Sequence, residues 1–425
     1  MTYSLDPFNR GAGVSYAPIG SAFTVTLGKM LDGGRDVDAQ ASLLPYIRAA
    51  NIQDSGLDLA DVNMMPFTDA ESAALDLRKD DILVVEGGAV GTCVVLREDL
   101  VGWSFQKTVN RLRPTGDWSP RFVAYVLRGY RDAGVIDIVC NKSTIPHLTA
   151  EKLRALRVPA LEPRLQEAIS DYLDREAAHI DELIGEQQRL INLLRERRAT
   201  VLDRVVWLGI EQASTSPTGI DPAPEAPSHW RRARNKELFF EATDLSADGG
   251  EELLTVSHLT GITPRSEKNV NMIESESLEG YRLVCPGDLV INTMWAWMGA
   301  LGISSLSGLV SPAYGVYRLR DGAEVDSRYF NYLYRSRPYV AEMTRHSRGV
   351  WESRLRLYPE SFLRLPIVVP PLEEQRAIAN WLDGQTWKID NLIAEAERLV
   401  ELAQERRSAL ITAAVTGQVD VGRVA

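Results

Sequence analysis

The second half of this chain repeats the first. Pro159 and Pro163 recur as Pro366 and Pro370, 207 positions further on. After a two-residue gap, Leu173-Asp174 recurs as Leu382-Asp383, Ile180-Asp181 as Ile389-Asp390, Leu183-Ile184 as Leu392-Ile393, and Glu196-Arg197-Arg198 as Glu405-Arg406-Arg407, all 209 positions on. That many identities in one register mark an internal duplication. Upstream the repeat is fainter. Residues 80–85 (DDILVV) match 287–292 (GDLVIN), and Asn110–Arg113 matches Tyr317–Arg320. Both are strand-like runs rich in branched residues. Ser119-Pro120 and Asp326-Ser327 then read as helix starts, each with an N-cap oxygen, the first with Pro at the first helical position. Each half is therefore a mixed α/β globule followed by one long helix. The globules diverge far more than the helices, as suits one task performed on two different targets.

Pro163 and Pro370-Pro371 block helix upstream, so the long helices begin just after them. In the first, Ile169, Leu173, Ile180, Leu183/Ile184, Leu190/Ile191, Leu194 and Val201 fall near helical spacing. In the second, Ile378, Leu382, Ile389, Leu392/Ile393, Leu399, Leu402 and Leu410 do the same. Steps of three and four sustained over some 40 residues fit a coiled-coil-like stripe. At about 1.5 Å per residue each helix runs roughly 60 Å, and one apolar stripe of that length needs a partner. Antiparallel pairing of the twins gives an α+β fold: two mixed α/β heads separated by two long antiparallel helices, a coiled-coil rod with an internal pseudo-twofold repeat. The competing reading is two independent homodimerising helices. The expected boundaries are a first head over 1–157, helix over 158–209, a linker over 210–229, a second head over 230–364, and helix over 365–425. The stretch 211–228 (EQASTSPTGIDPAPEAPS) reads as linker because it is Pro/Ser/Ala-rich and aperiodic.

Charge narrows the function. The net charge is −11, which counts against binding DNA by overall charge. Locally the balance reverses: Lys107–Arg157 holds ten Lys/Arg against four Asp/Glu, and Arg328–Arg364 eight Arg against three Glu. These islands read either as ordinary solvated faces or as a nucleic-acid footprint. The three cysteines, Cys93, Cys140 and Cys285, are scattered, which fits neither a disulfide framework nor a CxxC metal site and suggests a reduced, cytoplasmic setting. The opening MTYSLDPFNR does not read as a signal peptide, and no apolar run approaches the roughly 18 residues of a membrane helix.

Catalytic motifs are missing. Gly28-Lys29, preceded by Gly20, has the wrong spacing for a phosphate loop, with Met30 where Ser/Thr should stand. Glu86–Gly91 (EGGAVG) follows a strand, but its counterpart Thr293–Gly299 (TMWAWMG) carries two tryptophans, so both read as strand-to-loop turns. Asp6-Pro7-Phe8 lacks the second proline of an amino-methyltransferase motif. The five histidines show no metal-ligand spacing, and no GxSxG occurs. The chain reads as non-catalytic, with no metal and no cofactor of its own.

The tail PPLEEQRAIANWLD…KIDNLIAEAERLVEL…ERRSALITAAVTGQVD resembles the repeated helical region of Type I restriction–modification specificity (S) subunits, and the first copy repeats it in weaker form. ELLTVSHLTGITPRSEKNVNM with GDLVINTMWAWMGALGIS…GLVSPAYGVYR resembles a target-recognition domain of that family. So do PYIRAANIQ, DDILVVEGGAVG and STIPHLTAEKLRAL in the first half. The resemblance covers nearly the whole chain. It departs at the N-terminus, which lacks the Trp-containing opening that Ser228-His229-Trp230 supplies to the second half. It implies a DNA-recognition subunit that reads a bipartite, asymmetric double-stranded target, each head taking one half-site. It also implies two methyltransferase (modification) subunits, which bring S-adenosylmethionine, and two restriction (motor-nuclease) subunits that can be added with ATP and Mg.

Base edges in the major groove are read by Arg, Lys, Asn, Gln, Ser and Thr, while phosphate contacts position the protein. The candidate DNA-binding residues are accordingly Gln106, Lys107, Lys142, Ser143 and His147 in the first head. In the second they are Arg345, His346, Arg348, Trp351 and Arg354, from the arginine-rich run RHSRGVWESR. Trp295 and Trp297 read first as core aromatics and second as DNA-facing. Two other function classes compete: a coiled-coil adaptor whose heads bind proteins, and a single-chain enzyme with an unfamiliar site.

Overall fold

The computed structural model describes residues 15–30, 41–140, 146–258, 260–267, 277–349, 355–416 and 418. The chain divides into two compact units: Met1–Gln187 with Arg398–Ala425, and Gln188–Glu397.

The first unit is built on a four-stranded antiparallel sheet in the order Phe23–Leu27, Val109–Pro114, Ile82–Val85, Cys93–Val95. The second repeats it with Phe239–Glu241, Gly315–Leu319, Leu289–Ile291 and Leu301–Ile303. In each, a short antiparallel ribbon ties the start of the head to the strand before the long helix: Tyr16–Pro18 with Arg157–Pro159, and Arg231–Arg234 with Pro366–Val369. A helix follows the sheet as expected. Ser119 caps Pro120–Asp132, its hydroxyl accepting from the Phe122 amide, and Asp326 caps Ser327–Arg335.

Strand pairing corrects one match made on sequence. Ile82 faces Leu112, and its counterpart Leu289 faces Tyr317. The counterpart of Arg318 is therefore Arg113, two residues beyond Arg111. The chemistry agrees. Arg113 grips the Asp81 carboxylate through Nε (2.8 Å) and Nη2 (2.7 Å), and Arg318 grips Asp288 in the same way (3.0 and 2.9 Å). Each Asp also accepts a backbone amide three residues back, from Arg78 (2.7 Å) and Cys285 (2.9 Å). A two-residue slip preserves strand alternation, so periodicity could not detect it.

The long helices span Pro163–Leu208 and Leu372–Val415. In the first unit, Ile169 and Leu173 at the start of one pack with Ile411, Ala414 and Val415 at the end of the other. In the second unit, Leu202 and Val205–Trp207 pack with Ile378, Ala379 and Leu382. The pairing is antiparallel in both. Polar contacts repeat it with roles exchanged: Arg198 pairs with Asp390 (2.8 Å) in one unit, and their equivalents Arg407 and Asp181 pair (3.4 Å) in the other. The seam is narrower than the apolar stripe suggested. Ile180, Ile191, Leu194 and Ile389 are buried, but Leu183, Leu190, Leu392, Leu399 and Leu402 are exposed. Adjacent apolar residues sit about 100° apart around a helix, so one side of a two-helix seam shelters only one of each pair.

The stretch read as linker is ordered. Thr215–Pro217 pairs with Glu225–Pro227, and Ile220, Ala223 and Ala226 enter the second unit's core. Two of its prolines, Pro217 and Pro227, sit in this two-stranded ribbon, where a missing N–H costs little, so composition alone misread it.

Asp81 and Asp288 are fully or almost fully buried beside partly exposed guanidiniums. Removing the carboxylate takes the acceptor from the Arg78 or Cys285 amide and one of two carboxylates from the arginine. Asp288→Ala should destabilise the second unit by roughly 1–3 kcal/mol, measured as the change in its urea transition at constant pH. Asp81→Ala should do the same to the first.

Candidate nucleic-acid interface

In the first unit the candidate residues within the described set meet around one strand end. The strand Ile82–Val85 runs into Glu86, whose amide donates to the Thr108 carbonyl (2.9 Å) and whose carbonyl accepts from the Leu148 amide (2.9 Å). Gln106 and Lys107 precede Thr108, and His147 precedes Leu148. Lys107 and His147 are exposed and Gln106 is half-buried. The structure thus brings these three together from two distant stretches of chain. Lys142 and Ser143 lie outside the described residues.

The glycines here serve close packing. A Cβ on Gly28 would lie 2.3 Å from the Gln106 carbonyl oxygen, and one on Gly87 would lie 3.0 Å from the His147 ring. Burial pushes the Glu86 carboxyl above its ordinary range, opposed by the positive charge of His147 and Lys107.

The second unit builds the same frame with other side chains. Thr293 stands where Glu86 does, and its carbonyl accepts from the Leu357 amide (3.0 Å) as Glu86 accepts from Leu148. Arg356 therefore takes the place of His147. It is exposed and forms two backbone hydrogen bonds of 2.9 Å with Arg348. Arg348 is exposed as well, with no ion pair recorded among the described residues. Trp295, on the intervening turn, is 48% exposed, so the core reading fails for it; Trp297 is half-buried.

Arg345 and His346 sit apart from this frame, at the end of the helix Arg337–His346. Arg345 pairs with Asp221 and with the buried Glu342 (2.7 Å), and His346 lies 3.6 Å from Glu342. Their immediate role is local charge balance. Trp351 and Arg354 lie outside the described residues. Sequence reading missed Arg356; the offset of 209 linking Leu148 to Leu357 was the signal that could have found it.

Several arginines of the basic islands are paired with the protein's own carboxylates. Arg113 and Arg111 bind Asp76, Arg121 binds Glu167, Asp171 and Asp174, Arg131 binds Asp54, and Arg337 binds Glu196 and Asp203. A count of charges along the chain cannot separate these internal ion pairs from a surface that meets a polyanion. Among the described residues there is no cluster of His, Cys, Asp and Glu able to hold a metal ion, and no helix long and apolar enough to cross a membrane.

Two heads on a repeated helical scaffold define a class of fold, and solved structures share it. One is a chain from a structure described as the basis of complex assembly and conformational transition of the type I R-M system. It superposes with a TM-score of 0.72 at 15% identity, covering 96% of this chain and 99% of that one. The HsdS subunit from Thermoanaerobacter tengcongensis superposes with a TM-score of 0.54 at 16% identity, covering 97% and 99%. No family model and no curated protein matches the sequence. The chain thus shares its fold with the HsdS subunit and with that chain of the type I R-M system.

Ionised Glu86 opposes its own burial and sets a negative charge beside Lys107. A carboxyl raised by folding stabilises the fold fully only below its unfolded value near 4.5, and that contribution is lost as pH rises through the folded value. Glu86→Gln should therefore raise the melting temperature at pH 7. The gain should disappear as pH falls below about 4.5, as a pair of melting series would show.

Proposed function

We propose that this chain is the DNA-recognition subunit of a type I restriction–modification complex. It is non-catalytic, reads a bipartite asymmetric target, and carries the methyltransferase subunits. The observation that carries this reading is the repeated frame filled with unlike side chains: Glu86, Lys107 and His147 on one head, Thr293, Arg348 and Arg356 on the other. One backbone hydrogen bond recurs in both, from the Leu148 amide to the Glu86 carbonyl and from the Leu357 amide to the Thr293 carbonyl, so equivalent strand ends carry different donors and acceptors. The likeness of fold to the S subunits supports it.

In this reading double-stranded DNA is bound in the company of two methyltransferase subunits supplying S-adenosylmethionine. Two motor-nuclease subunits, with ATP and Mg, complete the restricting form. The setting is the cytoplasm. Candidate DNA contacts are Gln106, Lys107, His147, Arg348 and Arg356, together with Lys142, Ser143, Trp351 and Arg354 from outside the described residues. Arg345 and His346 remain candidates only if DNA displaces Glu342 and Asp221. The exposed leucines of the long helices, Leu193 (68%) and Leu402 (46%) among them, suit docking of a partner subunit.

Each phosphate neutralised by Lys or Arg releases counterions, so log K falls with log salt in proportion to the contacts made. In the assembled complex, Lys107→Ala, Arg348→Ala and Arg356→Ala should each reduce that slope by about 1 if the residue meets a phosphate. If it reads a base edge, discrimination at one position should instead fall by about 1–3 kcal/mol. Titrations on matched and mismatched duplexes distinguish the two. Binding that ignores salt and all three substitutions would favour the adaptor reading. Leu193→Glu should leave stability within about 0.5 kcal/mol, being at the surface, yet abolish co-purification with the methyltransferase subunit.

A further inference from the structure

The turn that follows Leu289–Ile291 carries an aromatic side chain that the core does not use. Trp295 is 48% exposed. Its backbone is nevertheless fixed from both sides. The Trp295 amide donates to the Asn292 carbonyl (2.9 Å), and its own carbonyl accepts from the Met298 (3.0 Å) and Ala300 (3.2 Å) amides. The Thr293 hydroxyl donates to the Ala313 carbonyl (2.8 Å), and the Trp297 indole to the Met294 carbonyl (3.0 Å). Ala296, the next residue along, is fully buried in the second unit's core. A large aromatic on so constrained a turn has apolar surface still to cover and little freedom to lose when it is covered.

Its surroundings favour nucleic acid as the partner that covers it. Arg356 brings Nη2 to 4.0 Å from Sδ of Met294, the residue before Trp295, and exchanges two backbone hydrogen bonds with Arg348. Both arginines are exposed, and neither forms an ion pair among the described residues. The first unit lacks the feature. There Val84 pairs with Cys93 across eight intervening residues, where Ile291 pairs with Leu301 across nine. The shorter turn, Glu86–Thr92, contains no aromatic residue, and a Cβ added at its Gly88 would meet nothing within 4 Å. At this turn the two heads therefore differ in shape as well as in charge.

Resting on the reading that the heads bind duplex DNA, we propose that Trp295 is an apolar wedge. Its indole enters the base stack at one step of the second head's half-site, while Arg348 and Arg356 hold nearby phosphates. The first half-site, which meets the glycine turn, stays stacked. Apolar side chains are used in this way to open and kink a duplex, and an aromatic face returns by stacking part of what the opened step loses. The backbone of Trp295 is already set, so insertion carries little further ordering cost. A step that opens easily is favoured over a stiff one, pyrimidine–purine steps above all, so the wedge selects sequence without a hydrogen bond to a base edge.

The test uses the assembled complex and duplexes carrying its split target, with 2-aminopurine placed in turn at positions of each half-site. The fluorescence of that base rises when its stacking is lost. Wild type is compared with Trp295→Ala and Trp295→Phe, so that any unstacking common to all three is subtracted. A rise that depends on Trp295 is expected in one half-site only. Trp295→Ala should abolish it and weaken binding about tenfold, as loss of one stacked base implies. The salt slope should not change, because no charge is removed. Trp295→Phe should keep most of the rise, and both variants should co-purify with the methyltransferase subunit as wild type does. Tight binding with equal fluorescence in wild type and Trp295→Ala would overturn the wedge and leave the recognition reading standing. So would a Trp295-dependent rise in both half-sites. Loss of the methyltransferase subunit from both variants would also overturn it, and would make the turn a protein-docking surface. A wild-type complex that binds no split duplex would overturn the recognition reading, and the wedge with it.

Discussion

A helix of 46 residues with one apolar stripe cannot stand alone in water, and the rest of this structure follows from how its stripe is covered. In each unit the cover is a stretch of the other long helix running the opposite way, sealed by the same residue types with the roles of the helices exchanged. Each head is then clasped to its helix by a duplicated set of polar contacts. Arg121 and Tyr125 share Asp174 (2.8 and 2.5 Å), and Arg328 and Tyr332 share Asp383 (2.9 and 2.7 Å). The buried Gln166 and Gln375 each accept the amide of the helix cap, Ser119 or Asp326, and donate to a carbonyl five residues back. Three hydrogen bonds per head thus lock the head's helix onto the long helix, and the glutamines leave no cap amide unsatisfied in a buried site.

This clasp explains why identity between the two halves concentrates where it does. Asp174, Gln166, Arg121 and Tyr125 must be what they are for the head to be held; Glu86 and His147 need only occupy a frame whose hydrogen bonds come from backbone. Exchange of Glu86 for Thr293 and of His147 for Arg356 changes the charge of the surface without moving it. A scaffold that separates holding from reading lets two heads acquire different targets on one architecture.

The α+β architecture was legible because it rests on period and repetition: the twin helices, the strands Ile82–Val85 and Leu289–Ile291, and the caps at Ser119 and Asp326 all stand where the spacing put them. The candidate interface was legible in part. Gln106, Lys107 and His147, chosen as polar side chains of a basic stretch, converge because Glu86 bonds the backbone of both Thr108 and Leu148, and Arg348 was reached through an arginine-rich run. Three things were hidden. A two-residue slip in strand register leaves every side chain on its own face, so Arg113 was passed over for Arg111 as the partner of Arg318. Ion pairs to Asp54, Asp76 and Glu342 join residues far apart in sequence or on one helix face, so charge counts overstated the free basic surface. The Pro-rich stretch 211–228 looked like a tether because its burial depends on only Ile220, Ala223 and Ala226, too few apolar residues to stand out among its prolines, serines and charges.

The most direct test of the central claim is a map of methylated adenines across the host genome, with this gene intact and with it deleted. The account predicts the loss of a single split motif, two short blocks of unlike sequence around a fixed gap, with every other methylated motif retained. An unchanged methylome, in cells where the chain co-purifies with an active methyltransferase subunit, would contradict it.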